Sequence, residues 1–330
     1  MTRPRYTFLS VRARAAAPSL TALAVTVLAV LAWPYTVDDA FITARYAHNL
    51  ASGLGYGMNA HVSSDGVTGP LWLLPGLLAS TLGADPVSAA KGFGIACTAL
   101  ACFALLRRLQ RRSRGTAASC VAGLVLALSP SLSTWAGAGL ETGAATLLLT
   151  LAVLGATRRP LPAGLGLGAS VGLLAWLRPE LALPCAVLLA HATLRHARAG
   201  RRAVVLAMLG VASVIAFRLA SFGDWLPLAF RAKSGPLLHG LRYTLEGVVL
   251  ASSLAGVVLC WLASRRGRSD DRALLWVALA HLAAVVLTGG DWMPGYRLLV
   301  PALPIYAWLV GVGVTRGFAR RPRLGSVVLL

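Results

Sequence analysis

Apolar runs of roughly 16–20 residues recur along the whole chain, and short knots of arginine separate them. That pattern leaves few folds open. Backbone amides placed in hydrocarbon must pair within their own segment, so such runs have to be helices. With 57% hydrophobic and 13% charged residues among 330, and a mean hydropathy of +0.71, the chain cannot cover itself with polar surface as a soluble protein of this length does. The expected fold class is all-α, a polytopic transmembrane helix bundle forming a single integral membrane domain over residues 1–330. No soluble domain and no Ser-, Gly- or Pro-rich linker interrupts it.

The net charge of +20 does not point to nucleic acid, because the basic residues sit between apolar runs and not on one face of a folded domain. The knots are Arg3/Arg5/Arg12/Arg14, Arg107–Arg114, Arg158/Arg159, Arg195–Arg202, Arg265–Arg272 and Arg316–Arg323. The positive-inside rule puts all of them, and the N-terminus, in the cytoplasm. Residues 18–34 form the first span, which lacks the small-residue cleavage site of a removable signal peptide. Residues 69–84 carry Pro70 and Pro75 and are read as an interfacial or re-entrant helix, since a full crossing there would send the Arg107 knot outside. About ten spans result: 18–34, 87–106, 116–131, 142–157, 161–177, 181–194, 203–221, 246–263, 273–288 and 298–315. Residues 35–86 then make the first outer loop, with amphipathic and interfacial helices. Residues 324–330 read as the start of a further span, so more chain is expected after Leu330. The protein is expected in a bacterial inner membrane.

Of the 11 acidic residues, only Asp270 and Asp271 fall on the cytoplasmic side. Asp38, Asp39, Asp65, Asp85, Glu141, Glu180, Asp224, Glu246 and Asp291 gather on the outer side. Carboxylates contribute little to topology, so the asymmetry marks a chemical face.

The stretch "WPYTVDDAFITARYAHNL" (33–50) opens that face. Residues 37–51 have helical character, and Thr36-x-x-Asp39 fits a capping box. Asp39 then holds the helix end, while Asp38, on a face with Arg45 and Asn49, turns to a polar cleft. Ile42, Tyr46 and Leu50 make an apolar stripe for the membrane surface. Further along, "AGLET" places Glu141 at the mouth of a span and "WLRPEL" places Arg178 and Glu180 at an outer turn. One outer loop supplies Asp224, Arg231 and Lys233, and another supplies Asp291 and Arg297. Arg45, Arg178, Arg231, Lys233 and Arg297 break the inside bias and suit a phosphate held at the membrane surface; ion pairing with nearby acids or snorkelling to headgroups also explains them.

Six stretches in order, "DDAFITARYAHNLASGLGYGMN", "DGVTGPLW", "GLET", "LRPE", "GDWLPLAFRAK" and "GGDWMPGYRLLVPALP", resemble the polytopic GT-C-fold glycosyltransferases that use lipid-phosphate sugars. The branch they most resemble is the bacterial cell-envelope one that includes the terminal arabinofuranosyltransferases. The resemblance implies an acidic pair in the first outer loop, a polyprenyl-phosphate sugar donor, and a glycan or glycolipid acceptor. It makes Asp38 the candidate general base and Asp39 its partner, with the order between them open. Arg178, Lys233, Arg297 and Arg45 match donor-phosphate positions; Glu141, Glu180, Asp224 and Asp291 match the acceptor or cleft. With phosphate as leaving group, one base serves a single displacement with inversion, and no general acid is needed. The chain is short for that family.

No cofactor is required by these motifs, no metal-ligand spacing is present, and a divalent ion bridging phosphate and carboxylates is compatible with the fold. Cys97, Cys102, Cys120, Cys185 and Cys260 read as small buried residues, and "GLGLGAS" (164–170) reads as close packing between spans. Two other readings stand beside the enzyme: a secondary transporter or lipid-sugar flippase, and an inactive scaffold relative.

Overall fold

In the computed structural model, which describes residues 8–113, 116–158, 164–228, 235–265 and 268–318, every regular element is helical. The helices are α1 (Phe8–Leu31), α2 (Asp38–Ala51), α3 (Leu73–Thr81), α4 (Pro86–Ser113), α5 (Ala117–Ala127), α6 (Pro130–Ala136) and α7 (Thr142–Ala156). There follow α8 (Leu165–Ala175), α9 (Ala182–Arg195), α10 (Ala197–Phe222), α11 (Leu237–Arg265), α12 (Ser269–Leu287) and α13 (Leu303–Phe318). Three 3-10 turns, Pro70–Trp72, Pro179–Leu181 and Arg297–Ala302, lead into α3, α9 and α13.

Within the described residues the predicted spans fall on helices, although few of those helices are of crossing length by themselves. Pro86–Arg112, Ala197–Phe222 and Arg297–Arg316 are long and apolar enough to cross a membrane alone. The expected span 116–131 breaks by 64° between α5 and α6. Pro130 has no N–H to continue α5, and Ser129 caps the new helix by accepting from the Leu132 N–H at 3.4 Å. Helices α7 and α8 have 15 and 11 residues, so at 1.5 Å per residue they reach only about 22 and 17 Å against about 30 Å of hydrocarbon. Residues 69–84 form the Pro70–Trp72 turn and the nine-residue α3, too short to cross, packed against α2 and α4. Helices α4 and α10 run past their predicted limits, so Arg107–Arg112 and Arg198–Arg202 are helical rather than loop residues. Residues 324–330 lie outside the described residues.

The core gathers Leu105, Leu106 and Leu109 of α4, Leu126, Trp135, Leu149 and Trp308. Helix α8 packs on α10 through small residues, as the "GLGLGAS" stretch suggests: a Cβ on Gly168 would lie 2.6 Å from the Ala203 carbonyl oxygen. Leu20, Leu23 and Leu31 of α1 and Val205, Met208 and Leu209 of α10 face outward, as lipid contact requires. Cys120 is exposed, against expectation, while the other four cysteines are buried.

The basic knots converge on two buried carboxylates. Asp270 meets Arg112 at 3.2 Å, His191 at 3.4 Å and the Arg195 guanidinium. Asp271, with no exposed side-chain surface, meets Arg112 at 3.0 Å and Arg316 at 2.9 Å and accepts from the Trp308 indole at 3.2 Å. The ends of α4, α9, α12 and α13 are thereby tied together.

Asp271→Ala should cost roughly 3–5 kcal/mol, because it strands buried arginine charge; a thermal melt of the detergent-solubilised protein little changed from the parent would contradict the clamp. At the other end of α4, Asp85 accepts from the Ser88 N–H at 2.8 Å ahead of Pro86. Hydrogen bonds from Ser88 hold the Asp85 carboxyl below its ordinary range. Its contribution is therefore complete above the unfolded carboxyl pKa and is lost as pH falls through the lowered folded one. Asp85→Ala should cost about 1 kcal/mol at neutral pH, with the difference closing in melts at strongly acid pH.

Candidate functional site

Away from the arginine clamp, the bundle carries a cavity of about 370 Å³. Asp39, Glu141, Arg178, Glu180, Asp291 and Arg297 line it, with Thr43, Thr68 and Thr288 among its polar neighbours. None of these charges sits in the middle of a long helix. Asp39 is in the first turn of α2, Glu141 precedes α7, Arg178 precedes the Pro179 turn, and Asp291 and Arg297 lie between α12 and α13.

Local geometry explains the convergence. Gly139 has φ +88, and a Cβ there would lie 2.8 Å from the Ala40 Cβ, so the "GLET" turn can close on the start of α2. Trp72 of "GPLW" donates to the Gly139 carbonyl at 3.0 Å, and the Leu71 N–H reaches the Trp176 carbonyl at 3.4 Å, beside "LRPE". Tyr296 is held at φ 54, an unusual conformation for a bulky residue, next to Arg297.

Arg178 is 6% exposed and bridges two glutamates. Its Nε lies 2.8 Å from Glu141 as a charge contact rather than an aligned hydrogen bond, and its Nη1 donates to Glu180 at 2.8 Å. Burial pulls the guanidinium pKa down, but Glu141 and Glu180 outweigh burial and raise it above its ordinary value. Arg297 donates to Asp291 at 2.8 Å and lies over the Trp135 ring at 5.5 Å. Among the described residues, four carboxylates and two guanidinium groups line the cavity.

The acidic pair is divided differently from the expectation. Val37, not Thr36, is the N-cap of α2, and no capping box forms. The Thr36 hydroxyl is occupied instead by the Lys91 ammonium at 2.6 Å. Asp39 lines the cavity; Asp38 is exposed, is absent from the lining, and accepts from the Asp39 N–H at 2.9 Å. Arg45 is also away from the cavity, exposed, and donates to the Met58 carbonyl at 3.3 Å. Its presumed companion Asn49 is fully buried and donates to the Gly57 carbonyl at 2.8 Å. Tyr46, with Ile42 and Leu50 beside it, packs on Val67 and Leu73 instead of forming a stripe for the membrane surface. Asp224 does not line the cavity and accepts from the Leu226 N–H at 3.3 Å. Lys233 and Arg231 lie outside the described residues, in a segment that begins one residue after the cavity residue Leu228.

Three buried residues escaped the sequence reading. Arg218 of α10 donates to Asp65 at 3.0 Å and to the Thr68 carbonyl at 2.8 Å, tying the first loop to α10. Burial pushes the Asp65 carboxyl up, against the pull of Arg218. Lys91 of α4 holds the Trp33 and Tyr35 carbonyls ahead of α2. His281 of α12 is paired with the Leu298 carbonyl at 2.8 Å, behind Arg297. Each is a lone polar residue inside an apolar run, and that isolation is the signal that marks them.

No protein-family model matches the chain, and no curated protein matches it. The fold is similar to two solved structures of ArnT from Cupriavidus metallidurans, one bound to undecaprenyl phosphate and one in the apo state, each with a TM-score of 0.66. Identity is 16% and 17%, over 90% and 92% of this chain. The match covers 60% and 62% of those chains, so this chain spans about three fifths of their length. At this identity the likeness establishes an ArnT-like helical fold.

Arg178→Gln should lower stability by roughly 3–5 kcal/mol, because Glu141 and Glu180 lose their shared cation. Adding Glu141→Gln and Glu180→Gln should recover part of that loss; a triple variant melting no higher than the single one would show that charge is not the cause.

Proposed function

We propose that this chain is a membrane glycosyltransferase that moves a sugar from a polyprenyl-phosphate donor to a hydroxyl of an envelope glycan or lipid, at the extracytoplasmic mouth of the Asp39 cavity. ArnT is a glycosyltransferase of the GT-C type, and one of its structures holds undecaprenyl phosphate. The observation that carries the reading for this chain is the placement of Asp39 on the wall of a cavity that also presents Arg178 and Arg297. The motif order, from the acidic pair to "GGDWMPGYRLLVPALP", favours the cell-envelope branch that includes the terminal arabinofuranosyltransferases.

In this mechanism Asp39 is the general base. Its carboxylate takes the proton from the acceptor hydroxyl as that oxygen bonds to the anomeric carbon. The bond from that carbon to the phosphate oxygen breaks, and polyprenyl phosphate leaves with the electron pair. Attack from the face opposite the leaving group inverts the anomeric centre. Asp38 keeps a separate task, bracing the first turn of α2 through the Asp39 N–H. Arg178 and Arg297 are already matched by acids, so they orient the donor phosphate more than they neutralise it. Lys233, five residues after Leu228 in the sequence, is assigned to supply further positive charge for the donor phosphate. A transporter would need its ionisable groups along a path between helices; the grouping of these residues at helix ends favours surface chemistry.

Asp39→Asn should reduce sugar transfer from a polyprenyl-phosphate donor in proteoliposomes by about 100-fold or more, with the melting profile preserved. Asp38→Asn should cost far less. Transfer that survives Asp39→Asn but collapses in Asp38→Asn would hand the base role back to Asp38, and transfer surviving both would sink the mechanism.

A further inference from the structure

The end of the bundle remote from the carboxylate cavity holds a second hollow, of about 440 Å³, between α4 and the end of α7. Arg107, Arg108, Arg111 and Arg158 line it over an apolar floor of Phe103, Ala104 and Leu154. No carboxylate is among these lining residues. The adjacent Arg112 shows the contrast, because it turns inward and meets both Asp270 and Asp271.

Orientation of the chain in a membrane does not require this arrangement. The positive-inside rule counts arginines near a span end wherever they point around the helix. Here Ala104, Arg107, Arg108 and Arg111 follow one another at the spacing that puts them on a single stripe of α4. Like charges so placed repel each other, so the stripe weakens the helix that carries it. Arg108 is fixed by donating to the Thr157 carbonyl at 2.8 Å, which joins the two walls of the groove. Arg107 lies against the Phe103 ring at 5.9 Å, so cationic rim and apolar floor are continuous.

We infer that this groove binds the phosphate headgroup of an anionic phospholipid, with an acyl chain laid along Phe103, Ala104 and Leu154. Guanidinium groups such as those of Arg107, Arg111 and Arg158 recognise phosphate, and the apolar floor distinguishes a lipid from a free anion. The inference stands apart from the glycosyl-transfer reading, because none of these residues belongs to the Asp39 cavity.

The full chain, purified and delipidated in detergent, is titrated with dioleoyl phosphatidylglycerol and followed by native mass spectrometry. Dioleoyl phosphatidylcholine and inorganic phosphate serve as the two comparison ligands. One phosphatidylglycerol should be retained in preference to phosphatidylcholine, and millimolar phosphate should fail to displace it. Arg107→Ala/Arg111→Ala/Arg158→Ala should weaken retention by about 100-fold, at roughly fivefold per arginine. Leu154→Trp should also weaken it by filling the floor while leaving every charge in place. Arg198→Ala/Arg201→Ala/Arg202→Ala removes equal charge from exposed positions on α10 and should change nothing. Equal losses in the two triple variants would reduce the effect to net charge and overturn the site. So would unaltered binding in Leu154→Trp, or displacement of the lipid by phosphate, which would make it a plain anion site.

Discussion

An arginine removed from water must find its counter-charge within a few ångströms, and in a chain with 11 acids and 31 basic residues such partners are scarce. That scarcity shapes the molecule. Arg178 takes Glu141 and Glu180, Arg297 takes Asp291, and Arg218 takes Asp65. Arg112, Arg195 and Arg316 share Asp270 and Asp271. The pairs sit at helix ends, while the stretches between them meet through leucine, alanine and glycine contacts that carry no charge. Buried ion pairs do not by themselves make a protein more stable than apolar packing would. Here they fix which helix end meets which, a specificity that interchangeable apolar surfaces cannot supply.

The acid-lined cavity follows from that division. Its charged groups come from the starts of α2, α7 and the Pro179 turn and from the segment joining α12 to α13, four places far apart in sequence. Arg178 and Arg297 are each held by partners within 2.8 Å, so their positions are set before any ligand arrives.

The two ends of the bundle therefore differ in kind. One concentrates carboxylates around a hollow reached by the first loop; the other combines a sealed carboxylate clamp with an open guanidinium groove. Helix α7 links the two: Glu141 at its start lines the carboxylate cavity and Leu154 near its end lines the groove.

Helix locations were legible from hydropathy, and the gathering of most acids away from the basic knots was legible from charge, because both properties belong to a residue and its near neighbours. The breaks and lengths of individual helices were not. Pro130 bends one predicted span, and α7 and α8 fall short of hydrocarbon thickness, which windows of composition do not register. The division of labour between Asp38 and Asp39 was beyond the sequence for a sharper reason. Successive side chains on a helix point about 100° apart, so the identity of the cap decides which aspartate looks into the cavity. Lys91, more than fifty residues downstream, takes the Thr36 hydroxyl and leaves Val37 as the cap. The sequence by itself determined that acids would collect at one end of an apolar helical bundle. Only the tertiary structure decided which of them share a cavity, because that choice rests on contacts between residues remote along the chain.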